Sequence, residues 1–541
     1  MCVLVKIVRC DGWARVGLVL AFVWMIAQAA TVQGQVASVV LERGATLTAR
    51  FSGDELPRDF ILATVENEYL NGIFEAKDAP LSLALVDETG KLLRQLVDRG
   101  YGRHTFHFLA AQKTTYLRVS GAVPAVFSLT LISPPLIDTP LKQAPVYLSP
   151  AISRVSGGGN IDAFWCEVSV SGTPLVETTE QGVVMTFLAR GVRDNARLLG
   201  GPVADHTWLE QLGNTDIWFA SFLVPPGTRL SYQIARDVPL VEGSSREQRL
   251  AILATAQRDP FNLSPWPVSA TDRFAQWSTV SLPEAPALLV KPDEVNMQAS
   301  GHFTHFMIDS ERLGNRRNIT FYQPVGVEAG HSGLLFVFDG RAYQEKISVP
   351  LIIDRLMQGG QIAPLIVVFV ANPDPGSRAH ELSANPDFAD FMALELLPEV
   401  SQRLNTRFTA DRIALAGSSY GGLAAATIAL RYPEVFGKVL AMSGSFWWHP
   451  PQTAPDTPNY VASLVAMQPT LPLSFFLSAG LFESTHPATG VGILEASRHL
   501  RDVLIARKVP VTFRQYPAGH DYFAWQVAIA DGLQVLFPAH E

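Results

Sequence analysis

The sequence has little cysteine, little charge of either sign and no cluster of basic residues. Its three cysteines among 541 residues are Cys2, Cys10 and Cys166, too few for a disulfide framework or a cysteine metal site. Cys2 and Cys10 lie in a segment that we expect to be removed, and Cys166 is predicted to be a buried apolar filler. The formal net charge of −8 and the absence of Lys/Arg-rich runs argue against a nucleic-acid partner.

The N-terminus has the pattern of a secretory signal peptide. Three basic residues precede the apolar stretch VGLVLAFVWMIAQAA, which ends in the small-x-small sequence Ala27-Gln28-Ala29. A membrane-spanning helix needs about 20 apolar residues, and this run is shorter. We therefore predict that residues 1–30 are cleaved and that the protein is periplasmic or secreted, without a stable membrane anchor.

Two regions rich in short strands follow. Residues 36–134 contain alternating runs such as TLTARFSG and VFSLTLIS, which predict an accessory β-sandwich domain. This region resembles the jelly-roll modules of the bacterial pre-peptidase type. The proline-rich segment 133–145 predicts a linker. Residues 146–290 predict an immunoglobulin-like sandwich. The runs that predict its strands include IDAFWCEV, VVMTFLARG and DIWFASFLVPPGTRLSYQIA.

From residue 295 to 541 the pattern changes to strands that alternate with helices. Runs such as RNITFYQPVG, GLLFVFDG, PLIVVFVA, KVLAMSG and LSFFLSAG are short and mostly apolar on both faces. DFADFMALELLPEVSQRL and GILEASRHLRDVLIARK have helical periodicity. Continuous apolar strands separated by amphipathic helices predict an α/β domain with a parallel sheet covered on both faces.

A candidate nucleophile lies in this α/β domain. The segment Gly417-Ser418-Ser419-Tyr420-Gly421 fits G-x-S-x-G between a strand and a helix, the context of a nucleophile elbow. The tight turn requires small neighbours and places Ser419 above the carboxyl end of the sheet. The alternative is an ordinary glycine-rich turn, and the flanking strand and helix favour the nucleophile.

A serine hydroxyl needs a base and an orienting carboxylate, which follow it in the order acid, then histidine, in this fold. Glu483 follows the strand LSFFLSAG, whereas Glu495 lies inside a helix, so Glu483 is the predicted acid. His520 directly follows the last strand, VTFRQYPAG, and is the predicted base.

The oxyanion of the tetrahedral intermediate needs two backbone N–H donors. We expect them from Tyr420, which follows the nucleophile, and from Gly340 or Arg341 after the strand LLFVFDG. Asp339 is expected to shape that turn. No histidine cluster has metal-ligand spacing, and no glycine-rich stretch carries the lysine of a phosphate-binding loop. The sequence therefore predicts a hydrolase without cofactor or metal.

These residues and their surroundings resemble the enterochelin (ferric enterobactin) esterases, within the esterase D-like α/β-hydrolases. The similar segments include FWCEVSVSGTPLVE, AQRDPFNLSPWP, ALAGSSYGGLAAATIALRYPEVFGKVLAMSGSFWWHP, SAGLFES and PAGHDYFAW, and they extend over roughly 146–541. The resemblance implies a Ser419–Glu483–His520 esterase that opens the trilactone of 2,3-dihydroxybenzoylserine. It also implies that Arg378, in SRAHEL, faces the substrate.

Aromatic and basic residues near the predicted triad agree with a catecholate substrate. Trp447 and Trp448 follow the strand KVLAMSG, and Tyr522 lies two residues after His520. Aromatic rings stack on catechols, and the guanidinium groups of Arg341 and Arg378 would attract an anionic ferric tris-catecholate. The alternative for each of these residues is an ordinary core or surface position.

Two other functions remain open at this point. One is a general exported esterase acting on acetylated or feruloylated polysaccharide, since a fold does not specify a substrate. The other is a non-catalytic binding protein, in which the β regions hold a siderophore or glycan and the serine site is vestigial.

Overall fold

The computed structural model describes residues 39–539, except 42, 52–56, 133–146, 204–205, 295–297, 453–458 and 485–490. The predicted signal peptide and linker therefore lie outside the described residues. The chain divides into two compact units. Among the described residues, the first contains 39–132 together with 241–254, and the second contains 147–240 together with 255–539. No helix in the described part of the chain is long and apolar enough to cross a membrane.

The first β region, residues 39–132, forms one hydrogen-bonded sheet in the order β1-β3-β6-β4-β7-β2, with β5 paired to β4. Its core contains Phe127, whose ring centroid lies 5.3 Å from that of Phe51 and 5.6 Å from that of Phe74. The strands are β1 (Val39–Val40), β2 (Thr46–Phe51), β3 (Arg58–Ala63), β4 (Tyr69–Val86), β5 (Leu92–Leu109), β6 (Thr114–Gly121) and β7 (Ala125–Ile132).

The second β region, residues 147–290, has two antiparallel sheets that share one apolar core. The sheet orders are β11-β10-β14-β17-β16, with β15 paired to β14, and β12-β13-β9-β8. The elements are α1 (Pro150–Ser156), α2 (Ile161–Ser171), β8 (Leu175–Thr179), β9 (Gly182–Ala189), β10 (Ala196–Gly200), β11 (Thr207–Trp208), β12 (Glu210–Gln211), β13 (Trp218–Val224), β14 (Arg229–Arg236), α3 (Ser245–Thr255), β15 (Ala256–Gln257), β16 (Pro265–Trp266) and β17 (Trp277–Ser281).

Most of helix α3 packs with the first β region although it follows β14 in the chain. Ala251 and Ala254 contact Tyr69 in a small apolar cluster. The Arg94 guanidinium donates to the carbonyl oxygens of Leu253 and Ala254 at 3.0 and 2.6 Å, which satisfies acceptors at the end of the helix. Residues 241–254 therefore belong to the first unit, although they lie within the segment 146–290 that is predicted to be one domain.

The prediction of a strand at IDAFWCEV is wrong, because these residues form helix α2. The Asn160 side chain accepts from the Ala163 N–H, and Gly172 with φ 78° ends the helix. Phe164, Trp165 and Val168 form the buried face. Cys166 lies on the opposite face and is exposed, so its prediction as a buried filler is wrong as well.

The catalytic region, residues 298–539, is an eight-stranded sheet in the order β18-β19-β21-β20-β22-β23-β24-β25. The strands are β18 (His302–Ser310), β19 (Asn315–Gln323), β20 (Gly333–Val337), β21 (Leu365–Val370), β22 (Ile413–Ser418), β23 (Lys438–Met442), β24 (Ser474–Gly480) and β25 (Val511–Tyr516). The helices are α4 (Gly340–Glu345), α5 (Val349–Gln358), α6 (Pro375–Glu381), α7 (Pro386–Phe391), α8 (Leu397–Arg403), α9 (Tyr420–Arg431), α10 (Tyr460–Met467), α11 (Ile493–Ala506) and α12 (Tyr522–Leu536).

Strands β20 to β25 are parallel, as their apolar runs predict, but the sheet as a whole is mixed. β19 is antiparallel to both β18 and β21, so the prediction that RNITFYQPVG joins a parallel sheet is wrong. Alternate residues of the parallel strands enter two separate cores, one with α9 and α11 and the other with α5 and α12. Because helices cover both faces of the sheet, a ligand is expected to bind at the edge where the parallel strands end.

A buried ion pair joins the antiparallel strand β19 to helix α6. The Arg317 guanidinium donates to both carboxylate oxygens of Glu381 at 2.8 and 2.9 Å, and both side chains are almost fully buried. The guanidinium also lies over the rings of Phe388 and Phe391. The pair anchors the helix that carries Arg378.

We expect Arg317→Met to lower the free energy of unfolding of the second unit by about 3–5 kcal/mol, because it leaves the buried Glu381 carboxylate without its cation. Urea denaturation followed by tryptophan fluorescence measures the change. Arg316→Met is the matched control. Arg316 is exposed and pairs with the exposed Asp309 at 3.4 Å, so its loss should cost less than about 1 kcal/mol. Equal effects of the two variants would contradict the prediction.

Candidate active site

The predicted nucleophile lies on a strained turn between β22 and α9. Ser419 has φ 57° and ψ −122°, a conformation that non-glycine residues rarely adopt, and its N–H donates to the Met442 carbonyl at 3.1 Å. A Cβ on Gly417 would lie 2.6 Å from the carbonyl carbon of Gly421, so the turn has room only for glycine there. Strand and helix therefore approach as closely as the G-x-S-x-G pattern predicts.

The predicted acid and base are in contact. His520 Nδ1 lies 2.5 Å from Glu483 Oε1, and Glu483 is 4% exposed in the loop after β24. Because an ionised carboxylate only accepts, Nδ1 carries the proton and Nε2 is left as the base. Glu495, the other candidate acid, lies on α11, where it is 4.0 Å from Arg498.

The second oxygen of Glu483 has two more donors, which the sequence did not indicate. Oε2 accepts from the Gly480 N–H at 2.5 Å and from the Ser443 hydroxyl at 2.8 Å. Ser443 Oγ in turn accepts from Trp525 Nε1 at 3.0 Å. The Trp525 ring also stands edge-on to the His520 ring, with centroids 4.9 Å apart. The carboxylate is thus held on both oxygens.

The Ser419 hydroxyl lies beside the turn that contains Ser443. Its hydrogen bond is to Ser445 Oγ at 3.3 Å, and the Ser445 N–H donates to the Ser419 carbonyl at 3.0 Å. Within the described residues it does not bond to His520. Catalytic hydrogen bonds are often long or misaligned before substrate binds. The turn 443–445 contacts both the nucleophile and the acid, so the three predicted triad residues border one site.

The loop after β20 is predicted to supply an oxyanion donor, and an ion pair between Asp339 and Arg378 fixes its conformation. Asp339 has a left-handed backbone with φ 54° and accepts from Arg378 Nε and Nη2 at 2.6 and 2.7 Å and from Asn372 at 2.6 Å. Gly340 begins α4, and a Cβ there would lie 2.8 Å from Phe369 Cβ. The first N–H groups of a helix have no acceptor within it. Gly340 and Arg341 begin α4, and Tyr420 begins α9, so their N–H groups occupy such positions.

The two arginines predicted to bind substrate each have a carboxylate partner. Burial lowers the pKa of Arg378, but the hydrogen bonds and charge of Asp339 raise it more, so the net shift is upward and the guanidinium stays charged. Arg341 Nε is 3.0 Å from Glu345 Oε1 at the surface of α4. The structure thus shows Arg378 bracing the Asp339 turn, and its contact with substrate stays a prediction.

The aromatic side chains predicted to line the site are half-buried, and their contact with substrate stays a prediction. The Trp447 ring lies 6.4 Å from that of Tyr420, and Trp448 packs edge-on against Tyr460 at 5.7 Å. Tyr522 contacts the Trp525 ring at 5.0 Å. Lys346 Nζ lies 5.1 Å above the Tyr522 ring, and burial lowers the pKa of this lysine.

The second β region contacts the loop that carries His520, a contact that the sequence did not predict. In β14, the Arg229 N–H donates to the Pro517 carbonyl at 3.0 Å, and the Ser231 N–H to Asp521 Oδ2 at 3.4 Å. Asp521 Oδ1 caps α12 by accepting from the Ala524 N–H. Burial raises the pKa of Asp521 to about 6. The segment around the base is therefore braced by a neighbouring sheet.

Comparison with known proteins places this geometry in a family. The sequence profile described as "Enterochelin esterase, N-terminal" matches residues 185–289, and that of "Putative esterase" matches 310–536. The iron(III) enterobactin esterase of Escherichia coli K12 is 31% identical over 290 residues, which cover 53% of this chain and 69% of that protein. The chain belongs to the enterobactin esterase family.

Other members align over more of the chain. The iron(III) enterobactin esterase of Dickeya dadantii is 28% identical over 73% of this chain and 97% of its own length. The crystal structure of ferric enterobactin esterase from Salmonella typhimurium covers 69% of this chain and 98% of its own, with 25% identity and a TM-score of 0.57. The chain is thus a carboxylic ester hydrolase with an α/β-hydrolase fold, as predicted. The resemblance of the first β region to pre-peptidase modules stays a prediction.

We expect Ser419→Ala and His520→Ala each to abolish ester hydrolysis without unfolding the protein, and Glu483→Ala to cost less, because packing against Trp525 retains part of the orientation of His520. Labelling with a fluorophosphonate probe, together with a circular dichroism spectrum, measures both properties. Equal labelling of the wild type and Ser419→Ala would contradict the assignment of the nucleophile.

The buried carboxyl of Asp521 should make stability depend on pH. Its pKa in the folded protein, about 6, lies above the ordinary value of 3.8, so its contribution is fully present below about pH 4 and is lost as the pH rises through 6. In Asp521→Asn, the side-chain oxygen can still accept from the Ala524 N–H and cap the helix, but the side chain no longer titrates. The variant should therefore gain stability relative to the wild type, by about 3 kcal/mol between pH 4 and 7.

Urea denaturation at several pH values measures this difference. The matched control is Asp374→Asn, at the N-cap of α6, where the carboxylate is half-buried and accepts from two backbone N–H groups. Its stability relative to the wild type should stay constant from pH 5 to 7. A constant difference for Asp521→Asn over the same range would refute the prediction.

Proposed function

We propose that the chain is an exported serine esterase that hydrolyses the trilactone ester bonds of a catecholate siderophore of the enterobactin type and so releases its iron. The observation that carries the proposal is the Glu483–His520 contact at 2.5 Å beside the strained Ser419 turn. It occurs in a chain that aligns over almost the full length of an iron(III) enterobactin esterase.

The geometry supports acyl transfer to Ser419. Ser419 Oγ attacks an ester carbonyl of the trilactone while His520 Nε2 takes its proton, and Glu483 stabilises the imidazolium. The N–H groups of Tyr420 and of Gly340 or Arg341 receive the oxyanion. The ester C–O bond then breaks, and the departing serine oxygen of the neighbouring unit takes the proton from His520 and leaves as a hydroxyl. Water then attacks the acyl-enzyme by the same route, leaving a carboxylate and the restored Ser419.

The surroundings of the triad support a large, flat, anionic substrate. Trp447, Trp448 and Tyr522 offer half-buried rings on which catechol groups stack. Lys346 and Arg341 lie in or beside α4, and Arg378 is tied to the same loop by Asp339. A related enterobactin esterase from Shigella flexneri, 25% identical with a TM-score of 0.55, has a crystal structure in the presence of enterobactin.

The remaining parts of the proposal concern export and the accessory regions. The basic start, short apolar run and small-x-small exit of residues 1–30 support a periplasmic or secreted enzyme. We also propose that the two β regions are sandwich domains. In the second, a single core contains Phe187 from one sheet and Tyr232 from the other, with ring centroids 4.7 Å apart.

The cyclic trilactone, with and without bound iron, tests the function. Purified protein should convert it to linear trimer, dimer and monomer of 2,3-dihydroxybenzoylserine, because Ser419 can attack each ester in turn. Chromatography with mass detection measures the products, and Ser419→Ala is the matched control. Absence of all three products in both iron states would overturn the proposal.

A panel of acetylated and feruloylated xylan fragments, run in parallel, distinguishes the alternatives. Turnover of these esters without turnover of the trilactone would indicate a polysaccharide esterase. Binding of the siderophore without fluorophosphonate labelling would indicate a non-catalytic binding protein.

A further inference from the structure

Ser443 and Trp525 form a buried hydrogen-bonded chain that ends on the catalytic acid. Trp525 Nε1 lies 3.0 Å from Ser443 Oγ, and Ser443 Oγ lies 2.8 Å from Glu483 Oε2. Ser443 is 2% exposed and Trp525 5% exposed, so water does not compete for these groups. The chain starts on α12, passes through the turn after β23 and ends in the loop after β24.

The direction of every hydrogen bond in this chain follows from the chemistry of its members. An indole N–H only donates, so Ser443 Oγ accepts from Trp525. The single hydroxyl proton of Ser443 is then directed to the Glu483 carboxylate, which only accepts when ionised. Gly480 adds a backbone N–H to the same oxygen at 2.5 Å. Oε2 is saturated by two donors, and Oε1 is left for His520 Nδ1.

We infer that Ser443, oriented by Trp525, is a positioning residue for the reaction. Its hydroxyl holds the Glu483 carboxylate in one rotamer, stabilises the buried negative charge and directs the other oxygen to the imidazole. Trp525 acts twice, through Ser443 on the acid and by its edge-on contact with the His520 ring. The inference rests on the serine-hydrolase chemistry of the family and does not depend on the identity of the siderophore.

The backbone at Ser443 is also strained, which supports a functional reason for the residue. Ser443 has φ 46°, in the left-handed region that non-glycine residues seldom occupy, and its N–H donates to the Ser478 carbonyl at 2.7 Å. Such conformations persist where the surrounding structure holds them, most often at functional sites. In this conformation the Ser443 hydroxyl, directly after β23, donates to the Glu483 carboxylate, which follows β24.

The test uses the full-length protein and two readouts: the rate of fluorophosphonate labelling of Ser419 and the hydrolysis of p-nitrophenyl acetate. Ser443→Ala should lower kcat about 10- to 100-fold, the effect of losing a hydrogen bond to a charged group, and leave KM unchanged, because Ser443 does not face the substrate. The matched control is Ser497→Ala, which removes a buried hydroxyl that has no partner among the described residues. Its rates should equal those of the wild type.

A pH profile separates positioning from a merely structural role. Without the Ser443 proton, the Glu483 charge is less compensated and attracts the imidazolium more strongly. The acid limb of the labelling rate should therefore move to higher pH in Ser443→Ala. Among the described residues, Asp521 and Tyr522 follow His520 directly in the chain, Arg229 interacts with the charge of Asp521, and Tyr522 packs on Trp525; all of them are unchanged in the variant.

A double-mutant cycle tests the action of Trp525 through Ser443. Trp525→Phe should slow labelling in the wild-type background and have a smaller effect in the Ser443→Ala background, because the hydroxyl that it orients is gone. If Ser443→Ala does not fold, Ser443→Cys, whose thiol is a weak donor, should give an intermediate rate. Wild-type rates and an unmoved acid limb in the folded Ser443 variant would overturn the inference. Additive effects in the cycle would overturn the part assigned to Trp525.

Discussion

The contact between the Glu483 carboxylate and His520 Nδ1 is the interaction on which this active site depends. A carboxylate that is 4% exposed carries a large desolvation cost unless donors surround it. Here the donors are the imidazole on one oxygen and the Gly480 N–H and Ser443 hydroxyl on the other. Because these groups come from three different strand ends, the ionised acid ties the end of the sheet together while it orients the base.

Tight backbone packing places the nucleophile beside this pair. Gly417 and Gly422 stand where a Cβ would collide with Gly421 and approach Gly444, so β22, α9 and the turn after β23 lie almost in contact. This approach brings Ser445 to the Ser419 hydroxyl and Ser443 to the acid. Two separate cores, one on each face of the sheet, pack against β22 and β23, the strands that end directly before Ser419 and Ser443.

Electrostatic and interdomain contacts support the outer parts of the site. The buried Arg317–Glu381 pair anchors α6, whose Arg378 holds Asp339 and hence the loop expected to receive the oxyanion. On the other side, β14 of the second β region bonds to the segment that carries His520. The matching family profile for the N-terminal domain covers β14. This domain thus contributes directly to the frame of the catalytic site.

The contact of Glu483 with His520 follows from the sequence because parallel strands end at one edge of a sheet. The positions of these two residues after apolar parallel strands predict that contact, and the role of Ser419, Glu483 and His520 as a catalytic triad stays a prediction. In the second β region, short apolar runs do not distinguish a strand from a helix: Phe164, Trp165 and Val168 form the buried face of a helix, and the strand predicted there is wrong. The predicted burial of Cys166 is wrong for the same reason, since the type of element determines which way a side chain points.

Tertiary structure alone decided which polar groups complete the site. No sequence pattern distinguishes Ser443 from the neighbouring serines, because its role depends on one rotamer, a left-handed backbone and an indole 82 residues away. The partner of Arg378 and the contact of β14 with the His520 segment likewise depend on distances between elements. Local patterns specify element types and strand ends, whereas hydrogen bonds between distant residues are settled only when those elements pack.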